Sequence, residues 1–79
     1  MMVLVATTNT ADMTLWDVQE IMAVLRDKEG LDPQMRVQDG NVAIAVPLPD
    51  DMLAKDLARL VRALTGVGFK VNTEVVFGD

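Results

Sequence analysis

Met35-Arg36-Val37-Gln38-Asp39-Gly40-Asn41-Val42-Ala43-Ile44-Ala45-Val46-Pro47 sits near the middle of a 79-residue chain, and its reading decides the fold. Apolar and polar residues alternate from Met35 to Gln38, the period of a half-buried strand. Asp39-Gly40 suits the positive φ angles of a type I′ turn, which predicts a tight hairpin. The return strand, Asn41 to Val46, is almost wholly apolar, and Pro47 and Pro49 break it.

A helix is predicted on each side of this hairpin. Upstream, Leu15, Val18, Met22 and Leu25 recur at i, i+3, i+7 and i+10, with Ile21 beside them, while Gln19, Glu20, Arg26 and Asp27 occupy the opposite face. Thr14 is an N-cap candidate, Asp17 and Glu20 lie near the positive helix end, and Gly30 offers a left-handed stop, so the helix spans about Leu15 to Glu29. Downstream, Leu53, Leu57, Leu60 and Leu64 form the strongest apolar stripe of the chain. Asp50 or Asp51 is expected to cap this second helix, and Gly66 and Gly68 to end it.

A strand is predicted at each outer end. Met2 to Thr7 is apolar and rich in β-branched residues, and the polar stretch Thr7 to Asp12 follows it as a loop. At the far end Phe69, Val71, Thr73, Val75 and Phe77 alternate with Lys70, Asn72, Glu74 and Val76, which predicts a strand with one buried face.

The order strand, helix, strand, strand, helix, strand predicts a single α+β domain over residues 1–79, a βαββαβ ferredoxin-like (split βαβ) plait. Its four-stranded antiparallel sheet would have the order 4-1-3-2, with two helices on one face. Strand composition agrees: the first and third strands are almost wholly apolar, as central strands are, whereas the second and fourth alternate, as edges do. Were the first strand to fray, an αββαβ unit would remain.

Composition narrows the function classes. Apolar residues make up 51% of the chain and charged residues 24%, the balance of a folded domain. A domain of this size has a margin of about 4 to 12 kcal/mol, so an interface burying more apolar surface would matter to it. With no cysteine there is no disulfide framework or thiolate metal site, which suits a reducing compartment and gives a cytoplasmic expectation. Seven basic and twelve acidic residues give a net charge of -5, unfavourable for the phosphates of nucleic acid and for anionic membranes. The opening apolar run is far shorter than the ~20 residues that cross a bilayer.

The chain has no His, Cys, Ser or Tyr, the side chains most used for acid/base and nucleophilic work near neutral pH, so we expect no enzyme. No cofactor or metal is expected either. Asp50, Asp51 and Asp56 read as caps and turns, since neither their spacing nor that of Asp39-Gly40-Asn41 supplies a cation loop. Gly66-Val67-Gly68 follows a helix and precedes a strand, the reverse of a phosphate loop. The central strands lack the aromatics on which an RNA-binding plait stacks bases.

Three features point to partner binding. Trp16, about 160° around the helix from Val18 and near Glu20 and Ala23, reads either as an interface anchor or as a cover for the Thr8 to Met13 loop. Ala43, Ala45 and Val76 are expected on the open face of the sheet, with Leu4 and Met2 or Ala6 completing an apolar patch. Lys55, Arg59 and Arg62 form a basic ridge on the second helix, read as solvated surface or as a contact for an acidic partner. The leading expectation is a small protein-interaction module, homo-oligomeric or docking as an adaptor or inhibitor on a larger protein. The alternative is a regulatory domain sensing a small metabolite at a dimer interface. An enzyme using Lys70 or a carboxylate ranks last.

Overall fold

The structure is a computed structural model and describes residues 1–77. In chain order the elements are β1 (Met2–Asn9), α1 (Leu15–Asp27), β2 (Gln34–Gln38), β3 (Asn41–Pro47), α2 (Ala54–Gly66) and β4 (Lys70–Val75). The strands form one sheet in the order β2-β3-β1-β4, which is the expected 4-1-3-2 read from the other edge. Each adjacent pair is antiparallel. The apolar β1 and β3 are central and the alternating β2 and β4 are edges, as their compositions require.

Local chemistry explains most boundaries. At the β2–β3 turn Asp39 has φ 52° and Gly40 φ 78°, the two consecutive positive angles of the predicted turn. The Thr14 side chain accepts a hydrogen bond from the Asp17 N–H at 3.1 Å and so caps α1. Past α1, Gly30 turns left-handed, and the Leu31 N–H donates to the Leu25 carbonyl, six residues back, at 3.0 Å, a closure that brings two buried leucines together.

The second helix departs from expectation. Neither Asp50 nor Asp51 caps α2: its N-cap is Leu53, with no side-chain hydrogen bond. The proline-containing segment instead closes its own turn, the Met52 N–H donating to the Pro49 carbonyl at 3.2 Å, and this leaves both aspartates in the turn before the helix.

The core lies between the sheet and the helices. From the sheet it takes Leu4, Ala6, Val42, Ile44 and Val46; from α1, Val18, Met22 and Leu25; from α2, Leu60 and Leu64; and Phe69 closes it beside β4. Register corrects one expectation here. Leu4 pairs with Val46 and Ala6 with Ile44, so both face the helices and not the open side. Val3 and Val5 take the open-face positions beside Ala45 and Pro47, because a shift of one residue exchanges the faces of a strand.

The apolar stripes are also shorter than predicted. Leu15 and Leu53, the first residue of each stripe, are exposed, and so are Thr73, Val75 and Phe77 on the face of β4 expected to be buried. Phe77, at 93% exposure, lies beyond the strand. The helix layer covers β4 only near Phe69 and Val71, so alternation persists in sequence where there is nothing to pack against.

Candidate functional site

On each helix the side chains one step round from the core-facing row turn toward the other helix. On α1 these are Ile21 and Val24, next to buried Leu25; on α2 they are Ala63 and, just past the helix, Val67, next to buried Leu60 and Leu64. Between them runs a groove of about 570 Å³. Its floor is apolar, and its polar lining residues are Asp12, Asp17, Glu20 and Glu29. The volume falls within the ~300 to 1,000 Å³ typical of ligand pockets.

The two ends of the groove differ in charge. Glu29, just past α1, pairs with Arg59 in the first half of α2 at 3.2 Å, and Asp56 lies 3.9 Å from the same guanidinium. This closes one end electrostatically, although so exposed a pair adds only about 0 to 1 kcal/mol of stability. At the other end, where the start of α1 meets the end of α2, Asp12, Asp17 and Glu20 have no cationic partner among the described residues. The last turn of α2 carries no basic residue, so its negative dipole end is not offset by charge. Asp12 is held in place locally: its carboxylate accepts from Asn9 Nδ2 at 2.9 Å, while Asn9 Oδ1 accepts from the backbone N–H groups of Ala11 and Asp12.

Trp16 stands at the lip of this acidic end. It is 71% exposed, and its indole Nε1–H donates to Glu20 Oε1 at 2.9 Å, one turn along α1. The ring is therefore tied to the helix surface and is mostly exposed. Ala23 is half-buried on the same helix.

The other predicted partner-binding residues lie elsewhere. Arg59 is engaged by Glu29 and Asp56, whereas Arg62 and Lys55 are exposed on α2. Ala43 and Ala45 occupy the open sheet face with Val5 and Val3, all half-buried. Polar residues flank this strip, Gln34, Arg36 and Gln38 on one side and Lys70, Asn72 and Glu74 on the other. Val76, past β4, donates its N–H to the Met1 carbonyl at 2.7 Å and accepts from the Met1 ammonium at 3.0 Å. The predicted set thus divides among the acidic end of the groove, its other end at Arg59, the exposed surface of α2 and the opposite side of the sheet.

The groove itself was not predicted. Its one sequence signal is the width of the apolar sector on α1, where Ile21 and Val24 extend the stripe beyond what one sheet face needs. Among the described residues no three or more His, Cys, Asp or Glu side chains are grouped to hold a metal ion. No helix among them is long and apolar enough to cross a membrane. Compared with the models of known protein families and with curated protein sequences, the chain finds a match in neither.

Proposed function

We propose that this chain is a non-catalytic protein-interaction module that docks on another protein through the groove between α1 and α2. The observation that carries this reading is the apolar groove left open between the helices, with exposed Trp16 bonded to Glu20 of its rim. Contiguous apolar surface of this kind commonly marks an interaction site, and tryptophan is enriched among residues that dominate binding energy. The non-catalytic part rests on the missing His, Cys, Ser and Tyr. A ferredoxin-like plait is the topology that the strand order and pairing support. The cytoplasmic placement rests on the absence of cysteine alone.

Site-specific photo-crosslinking in cells of the source organism tests this reading. A crosslinking side chain at Val24 or Ala63 should yield a discrete adduct with another protein, and one at Ala45 should not. Adducts from Ala45 alone would overturn the groove reading in favour of the sheet face. Light scattering over a range of concentrations shows whether the partner is a second copy, for which the uncovered strip of Val3, Val5, Ala43 and Ala45 is the natural contact.

A second reading keeps the groove and changes its occupant. Its volume suits a small molecule, and a regulatory domain sensing an apolar cationic metabolite would use the same floor and rim. A rise in melting temperature with such a compound, lost in Val24→Asp, would favour it.

A further inference from the structure

We infer that the occupant of the groove is an amphipathic helix of a partner protein, apolar on the face laid into the groove and bearing Lys or Arg at the end that meets Asp12, Asp17 and Glu20. This inference rests on the groove being a docking surface and adds the chemistry of what docks.

The shape of the walls selects a helix. Both banks are helices, whose backbone groups in mid-element are already paired, so the groove offers no free edge to an extended peptide. A strand lying over Ile21, Val24 and Leu64 would place unpaired N–H and C=O groups against apolar surface, where each group left unsatisfied loses its bonds to water without replacement. A helix pairs its own backbone and presents side chains at i, i+3, i+4 and i+7 to such a floor.

Charge selects the sign and the orientation. Of the four carboxylates on the rim, Glu29 has an internal partner in Arg59, whereas Asp12, Asp17 and Glu20 at the other end have none among the described residues. Basic groups arriving at this end meet carboxylates with no internal cationic partner among the described residues, beside an apolar floor and the negative end of α2. An acidic group at the same place meets like charge. At the far end Arg59 remains with Glu29 and Asp56, so the basic end of the guest is directed toward the start of α1. Trp16, exposed and bonded to Glu20 of the rim, offers an indole face near this end on which a cationic side chain of the guest gains further.

The test is selection from a displayed library of random peptides about 15 residues long against the intact chain. Enriched peptides are then measured by circular dichroism, by Trp16 fluorescence and by titration at rising salt. We expect sequences with apolar residues at helical spacing and a Lys or Arg cluster toward one end, helical when bound, whose affinity falls as salt rises. Binding should drop by about tenfold or more in Val24→Asp and in Ala63→Phe, which fills the groove without adding charge. It should also weaken in the double variant Asp17→Lys, Glu20→Lys, which should prefer acidic peptides instead. All four positions lie on the helices outside the buried core, so each variant is expected to fold, and melting curves check this. Enriched peptides that are acidic, or extended when bound, yet lost in Val24→Asp would overturn this inference and leave the docking groove standing. Peptides indifferent to both Val24→Asp and Ala63→Phe, or no enrichment at all, would overturn the inference and the groove reading together.

Discussion

The two faces of β1 are built from the same kind of residue and meet opposite fates. Leu4 and Ala6 are sealed under the helices, while Val3 and Val5, their immediate neighbours, lie half-buried on a face that no helix covers. What differs is the neighbour. Leu4 and Ala6 stand across from Val46 and Ile44 and beneath the leucines of α2 and the Val18 row of α1; Val5 stands between Ala45 and Asn72. Burial in a chain this small is set by where the helices dock, and the apolar character of a strand shows only that it is central.

Substitutions can break that comparison. The largest effect is expected at Ile44, completely buried on the helix face: Ile44→Ala should cost about 2 to 5 kcal/mol in urea unfolding, a large part of a margin of about 4 to 12 kcal/mol. Val5→Ala on the opposite face should cost about 1 kcal/mol, because it removes two methyl groups from a site that is only half shielded. Equal losses at the two positions would mean that the open face is buried in solution, and would point to self-association across it.

Smaller changes sharpen the same contrast by acting on the layer that makes one face the inside. Thr14→Ala removes the cap of α1 and should destabilise the fold by about 1 kcal/mol, with Thr14→Asn close to neutral. Ala45→Glu should change monomer stability by less than about 0.5 kcal/mol if its face is solvated, and sedimentation should show no change of mass. A larger loss that grows with protein concentration would assign a partner to that face. Arg59→Ala should likewise cost only about 0 to 1 kcal/mol, and less at high salt, because the Arg59 side of the Glu29 pair that links the helices is largely exposed.

Much of the fold was legible in the chain. The Asp39-Gly40 turn could be read because only a few dipeptides accept two positive φ angles, and the Thr14 cap and the Gly30 stop because their chemistry is confined to four or five neighbouring residues. Less of the site was legible. Trp16 was recognised as lying outside the core, yet its place at the lip of a groove depends on α2, 38 or more residues away along the chain. Asp12, Asp17, Val24 and Val67 carry no local mark that distinguishes groove from ordinary surface, because a groove is a relation between two helices.

By itself the sequence determined the six elements, the tight hairpin and the choice of central and edge strands, since these follow from period, turn chemistry and composition within a few residues. Tertiary structure alone decided which face of β1 is inside, why α2 begins without an aspartate cap, and why Val75 and Phe77 stay exposed despite their alternation. It also decided that an acidic-rimmed groove separates the helices. The physical reason is the same in each case: periodicity states which residues share a face, and only the packing of distant segments states what that face will meet.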